Sequence, residues 1–289
     1  MHMPPPLSPL AFIWTHEPHR FLIQFSENFG IRWYGLAYVL GFVGGAWLLF
    51  RYARANPPRS LLPAEKIWDL IIALVLGVVI GGRLGYFILY TPEALWNNPL
   101  ELFRVWDGGM ASHGGFAGVI IALAWFAWRN KIPFLHISDL AASITSLGLM
   151  LGRVANFLNG ELWGTHTDGT WGVIFSQTDP DRNPLPRHPS QLYEAALEGA
   201  LLLAYAQWRV WRTDAIRAHP GRLAGEYFVL YATFRAICEH FREPDATLIL
   251  GLSRGTFYSI FLFITGIALI IYSIIRNFRT TKTPTPTHP

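Results

Sequence analysis

Arg153 sits at the end of a mostly apolar run, Ile137 to Leu151. It lies within Gly152-Arg153-Val154-Ala155-Asn156-Phe157-Leu158-Asn159-Gly160-Glu161-Leu162-Trp163-Gly164. A guanidinium keeps its charge, because its pKa lies above about 12. Placing it within a bilayer costs from about 2.5 to over 10 kcal/mol, depending on how far the side chain snorkels. A chain keeps such a residue where water or an anion meets it. Phosphate suits it well, since a guanidinium grips phosphate through two parallel N–H bonds.

Other polar residues fall at similar depth. Tyr231, Arg235, Glu239 and Arg242 are spaced i, i+4, i+8 and i+11. At about 100° per residue they lie within roughly 80° of one another, as one stripe on a helix. Arg235 and Glu239 can pair at i,i+4. His113 opens another apolar run beside Gly114 and Gly115, and is a candidate for proton transfer. Tyr34 opens the first run, and Ser190, Gln191, Tyr193 and Glu194 open the fifth. Taken singly, Arg83, Glu194, Glu198 and the Arg235–Glu239 pair fit a polar network that only holds helices together. Taken together, with arginine in excess, they predict unpaired guanidinium groups that bind an anion. Cys238 is the only cysteine. It reads as a small core hydrophobe and excludes a disulfide framework or a cysteine-based metal site.

These residues need apolar helices to carry them. Of the 289 residues, 52% are hydrophobic and 15% charged. Soluble domains carry roughly 25% charged residues. With a mean hydropathy of +0.28, the chain reads as an all-α, polytopic membrane protein. Seven segments approach the length needed to span: about 33–50, 68–90, 112–128, 137–158, 190–211, 224–241 and 255–276. The third is short, and its glycine-rich start, Gly108-Gly109-Met110-Ala111-Ser112-His113-Gly114-Gly115, reads as irregular or re-entrant.

Arginine and lysine decide the orientation. Thirteen fall on one set of connections, from Arg51 and Arg54 through Arg129 and Arg212 to Lys282. Seven fall on the other set, and Arg83, Arg153 and Arg235 lie within spans. The richer side is cytoplasmic, so the N-terminus lies outside and the C-terminus inside. Arg83, Arg153, Arg235 and His113 then gather toward the outer leaflet. Asp69, Asp139 and Glu226 at the inner ends read as capping or interface residues. Residues 1–279 form a single membrane-embedded domain. Segment 159–189 is a small extracytoplasmic cap, and 280–289 is a disordered Thr/Pro tail. The N-terminus lacks the pattern of a cleavable signal peptide. The net charge of +4 is spread between helices, which argues against nucleic acid. No internal repeat of the inverted-transporter kind is visible.

With these residues placed, the chain resembles the bacterial prolipoprotein diacylglyceryl transferases over nearly its whole length. The resemblance rests on five ordered motifs. They are Ile31-Arg32-Trp33-Tyr34-Gly35; His113-Gly114-Gly115; Gly152 to Gly164; Arg187-His188-Pro189-Ser190-Gln191-Leu192-Tyr193-Glu194; and Phe234-Arg235 through Glu239 to Phe241-Arg242-Glu243-Pro244-Asp245. Ala155 departs from the family, where many members have glycine. The resemblance implies transfer of the diacylglyceryl group of phosphatidylglycerol to the thiol of a lipobox cysteine in a preprolipoprotein. That reaction forms a thioether and releases glycerol phosphate, as the first step of lipoprotein maturation in the bacterial inner membrane. It also implies Arg153 as the phosphatidylglycerol-binding residue. Arg235, His113, Tyr34, Asn156, Glu161, Gly164, Tyr231, Glu239 and Arg242 carry over as further site residues. No cofactor or metal is implied.

The residues permit this chemistry. Charge grows on the departing phosphate, so fixed cations lower the barrier. The thiolate is the reactive form of the substrate cysteine, so a base such as His113 or the field of the arginines must favour it. Lipid and signal peptide both arrive through the bilayer, which calls for a lateral opening. The same arginines would also serve a transporter or flippase for an anionic lipid or solute. That reading needs a polar route to the inner face, where the helices are apolar. A phosphatidyl-type phosphotransferase would need an aspartate-rich metal site, which the spans lack.

Overall fold

The computed structural model describes residues 12–26, 29–104, 108–167, 170–179, 185–244 and 247–281, with side chains described as far as Arg276. Ten helices are described. The long ones are α1 (Trp33–Arg54), α2 (Ile67–Tyr90), α4 (Ser112–Asn130), α5 (Phe134–Asn159), α9 (Arg222–Glu239) and α10 (Arg254–Thr281). The short ones are α3 (Pro92–Asn97), α6 (Ser190–Glu194), α7 (Leu202–Arg212) and α8 (Ala215–Ala218). A π-helical turn, Ala195–Leu201, joins α6 to α7 into one continuous rod. Each of the seven segments expected to span lies on one of these helices or on that rod, except that 224–241 runs two residues past the end of α9 at Glu239. Among the described residues, four helical stretches are long and apolar enough to cross a membrane: Trp33–Arg54, Ala64–Tyr90, Phe134–Asn159 and Arg254–Arg276. The chain is therefore a membrane protein.

The all-α expectation needs an amendment, because the described residues include two small sheets. Strand β1 (Phe12–Thr15) pairs in parallel with β4 (Trp171–Ile174), and β2 (Phe21–Ser26) pairs antiparallel with β3 (Phe29–Arg32). Four to six residues are too few for alternation to stand out from an apolar background. At the C-terminus the helix runs to Thr281, past the expected start of the tail. Residues 282–289 and Asp245 lie outside the described residues.

Glycine sets how closely the helices approach. A Cβ on Gly81 would stand 2.4 Å from the carbonyl oxygen of Gly114, and one on Gly118 would stand 2.0 Å from that of Gly77. Helices α2 and α4 thus meet backbone to backbone, as small residues allow where hydrocarbon gives helices no reason to separate from lipid. Gly225 and Gly266 bring α9 and α10 together in the same way.

The main apolar core joins Leu49 and Tyr52 of α1, Ile67 and Leu70 of α2, Phe126 of α4, Ile137 and Leu140 of α5, Val210 of α7 and Leu223 of α9. These are the ends of α1, α4 and α7 and the starts of α2, α5 and α9, so the core fills one end of the bundle. The polar residues there cap and tie. Asp139 accepts the backbone N–H groups of Gly221 and Ala224, 2.7 Å each, at the start of α9. Glu226 joins Arg209 at 2.7 Å and Arg222 at 3.0 Å, and Asp69 joins Lys66 at 3.1 Å.

Candidate active site

The opposite end of the bundle is charged. Arg153 lies in the last two turns of α5, Glu194 closes α6, Glu198 stands in the π turn, and Arg235 and Glu239 share a face of α9. Glu194 and Glu198 are completely buried. Glu194 joins three arginines: its Oε2 is 2.8 Å from Arg153 Nε, and its Oε1 is 2.6 Å from Arg235 Nη1 and 3.1 Å from Arg242 Nη1. Glu198 Oε1 is 3.5 Å from Arg235 Nη1, and its Oε2 is 3.9 Å from Arg153 Nη2. Arg235 Nη2 also donates to Glu239 Oε1, the expected i,i+4 pair.

This corrects the expectation of unpaired guanidinium groups. Three arginines face three glutamates, and with all six ionised their charges cancel. The cancellation is what makes such burial tolerable, because an unpaired buried charge costs several kcal/mol.

The arginines are not equivalent. Arg235 and Arg242 donate aligned hydrogen bonds to Glu194. The oxygens that face Arg153, Glu194 Oε2 and Glu198 Oε2, accept no aligned hydrogen bond among the described residues. Arg153 is therefore held by charge alone and retains its directed donors. Its side chain is also the most exposed of the three, 18% against 11% for Arg235 and 6% for Arg242.

A second network adjoins the first. Gly160 ends α5 in the left-handed conformation, φ +68°, and turns the chain back. Glu161 then reaches the helix it has just left: its carboxylate accepts from Asn159 Nδ2 at 3.1 Å and Asn156 Nδ2 at 3.4 Å. Asn156 Nδ2 also donates to the Tyr34 hydroxyl, from the first turn of α1. Gln191 Nε2 donates to the Glu161 carbonyl at 2.6 Å, and Ser190 Oγ to that of Leu162 at 3.0 Å, which moors this turn to α6. Gly164 bridges Arg242, and its N–H donates to the His188 carbonyl at 2.9 Å. A Cβ on Gly164 would stand 2.3 Å from the Phe241 carbonyl oxygen. Arg187 pairs with Asp179 and, at 3.4 Å, with Glu243.

Tyr231 lies one turn before Arg235 on α9, its ring stacked on Tyr227 with centroids 6.3 Å apart. His113 stands apart from the arginine–glutamate group. It is exposed in the first turn of α4, with its ring 5.1 Å from that of Tyr258 on α10. Tyr258 is three residues beyond Gly255, whose Cα abuts Glu239 and Arg235. Arg83 belongs to neither network, because its donors all go to backbone carbonyls. Between α9 and α10, an apolar groove of about 830 Å³ is lined by Ala232, Ala236, Ile260 and Phe263, and reaches His240 and Phe241 at the charged end.

Glu194 and Glu198 were visible as intramembrane acids but were not singled out as the hub. The π turn between them changes the helical phase, and nothing in the residue types announces it. A family model described as prolipoprotein diacylglyceryl transferase matches residues 20–272. The phosphatidylglycerol--prolipoprotein diacylglyceryl transferase of Bradyrhizobium diazoefficiens is 43% identical, over 86% of this chain and 89% of that protein. Those of Gluconacetobacter diazotrophicus and Zymomonas mobilis are each 44% identical, covering 88% and 94% of this chain and 90% and 92% of their own lengths. Motifs, helices and relatives agree: the chain belongs to the prolipoprotein diacylglyceryl transferase family.

Proposed function

We propose that this protein transfers the diacylglyceryl group of phosphatidylglycerol to the lipobox cysteine of preprolipoproteins. The substrate sulfur attacks the glycerol CH2 that carries the phosphate. A C–S bond forms, the C–O bond to phosphate breaks, and glycerol phosphate departs with the electron pair. The thiol proton passes to a base, which we assign to His113. The observation that carries this reading is the state of Arg153, a half-buried guanidinium held by charge while its directed donors stay free. A phosphate taken up there gains bidentate hydrogen bonds that strengthen as its charge grows. Arg235, fixed by Glu194 and Glu239, supplies a second cation. Tyr34, Asn156, Glu161, Gly164, Tyr231, Glu239 and Arg242 complete the lipid site.

In this reading the bundle crosses a bacterial cytoplasmic membrane seven times, with the N-terminus outside and the C-terminus inside. The distribution of arginine and lysine then puts the charged end at the outer leaflet, where signal-peptide cysteines emerge. The groove between α9 and α10 offers lipid acyl chains a lateral path.

The test is incubation of purified protein with labelled phosphatidylglycerol and a lipobox peptide, with chelator present. Label on the peptide cysteine is expected. Gradient-driven uptake of an anion into proteoliposomes, without any transfer, would instead establish the transporter reading.

A further inference from the structure

We propose that Arg83 is a positioning residue for His113. This rests on the reading of His113 as part of the transferase site. Arg83 lies in α2, 5% exposed, in an apolar helix where a charge needs compensation. No ion pair joins it to a carboxylate among the described residues. Its guanidinium instead gathers carbonyls: Nε donates to Leu102 at 3.1 Å, Nη2 to Arg104 at 2.9 Å and to Glu101, and Nη1 to Gly109 at 3.1 Å and to Gly108. The Phe87 ring covers it, 4.8 Å from the guanidinium carbon.

The chain that leaves this clamp enters α4. Gly108 and Gly109 both have positive φ, +82° and +74°. The N–H of Ala111 then donates to the Gly82 carbonyl at 2.9 Å, next to Arg83 itself. One residue past His113, a Cβ on Gly114 would stand 2.2 Å from the Gly81 carbonyl oxygen. His113 is thus bracketed: Arg83 fixes the carbonyls before it, and α2 backbone fixes the residues on either side. Its ring meets Tyr258, whose helix abuts Glu239 and Arg235 at Gly255. The clamp sets where the imidazole stands relative to the arginines. Only a fork of five donors can serve carbonyls arrayed around it; lysine offers a single point.

Arg83→Lys keeps the charge and loses the fork. Gly109→Ala leaves Arg83 in place but puts a Cβ 2.8 Å from its Nη1. Both variants are made in the full chain, in nanodiscs. Site-resolved modification of His113 by diethyl pyrocarbonate is followed by mass spectrometry, with His219 at the other end of the bundle as reference. In both variants the rate of His113 modification should change several-fold, as the ring shifts relative to Tyr258, while that of His219 stays constant. Transfer turnover should fall about a hundredfold, as a misplacement of about 1 Å does. The KM for phosphatidylglycerol should stay unchanged, because the arginine–glutamate group is untouched. Unchanged His113 reactivity in folded variants overturns the assignment, as does a rise in KM that matches the loss of turnover. Failure of both variants to fold also overturns it, in favour of a purely structural role. If the wild type transfers no lipid, the proposed function fails, while the His113 reactivity still tests the clamp.

Discussion

Glu194 Oε2 lies 2.8 Å from Arg153 Nε, and the approach is a charge contact without an aligned hydrogen bond. The same carboxylate binds Arg235 and Arg242 with aligned bonds. Glu194→Gln removes the charge from the hub and leaves three guanidinium groups sharing two carboxylates. Breaking a buried ion pair on one side costs about 3–5 kcal/mol. A clear drop in unfolding temperature in detergent is expected, together with a loss of transfer. Wild-type stability in Glu194→Gln would show that the hub is dispensable.

Arg153→Ala should abolish transfer while the protein still inserts, since Arg235 and Arg242 continue to satisfy Glu194. The expected loss in turnover is at least about 100-fold, the usual effect of removing one donor aimed at developing charge. Arg153→Lys should rescue only partly, because an ammonium cannot bind phosphate in fork fashion. Insertion is checked by protease protection and activity by lipid transfer to a lipobox peptide. Full activity in purified Arg153→Ala would remove Arg153 from the mechanism.

Gly164→Ala places a Cβ 2.3 Å from the Phe241 carbonyl oxygen and 2.5 Å from that of His188. Both neighbours are backbone, so one segment must shift. Overpacking of this kind costs about 1–3 kcal/mol. The shift separates the turn carrying Glu161 from Arg242, so transfer should fall together with stability. A variant with normal activity and an unaltered melting curve would argue against a tight seam there.

His16 lies outside the membrane helices, with its ring 4.6 Å from Phe157 and 5.5 Å from Phe175. Burial lowers its pKa from the usual 6.5, with backbone hydrogen bonds to Leu158 and Phe157 opposing part of the shift. The folded protein therefore favours the neutral ring. The unfolded chain takes up the proton first as pH falls below about 6.5, so stability is lost from there down to the folded pKa. Unfolding temperatures of the wild type should fall between pH 7.5 and 5.5, and His16→Gln should flatten that slope. An identical slope in the variant would assign the loss to other groups.

Much of this architecture is legible in the sequence, and the rest is hidden for physical reasons. Apolar runs locate the helices because hydrocarbon demands them, and the expected 68–90 and 137–158 fall within α2 and α5. The stripe of Arg235 and Glu239 follows from helical spacing. Pairing between Arg153 and Glu194 does not, because it depends on how α5 packs against the π turn. The carbonyl partners of Arg83 leave no mark in residue types at all, since every residue has a carbonyl. The parallel pairing of β1 with β4 joins residues more than 150 positions apart through four-residue strands. The glycine-rich stretch Gly108 to Gly115 is irregular at Gly108 and Gly109, whose φ values are positive. From Ser112 onward, His113 included, it is regular helix, because Gly114 packs there against the α2 backbone.

The division of the bundle into an apolar end and a charged end has a consequence for the cell. A protein that admits lipid sideways must not become a leak for protons or ions. Leu49, Tyr52, Ile67, Phe126, Ile137, Leu140 and Leu223 pack into a continuous plug from five helices. Water that reaches the arginines and glutamates meets that plug before it can cross. The polar groups at that end are already engaged, Asp139 by backbone N–H groups and Glu226 by arginines. An ion stepping onto the plug would therefore lose its hydration with little to replace it. In the proposed orientation, the wet chemistry of one leaflet is thereby insulated from the voltage across both.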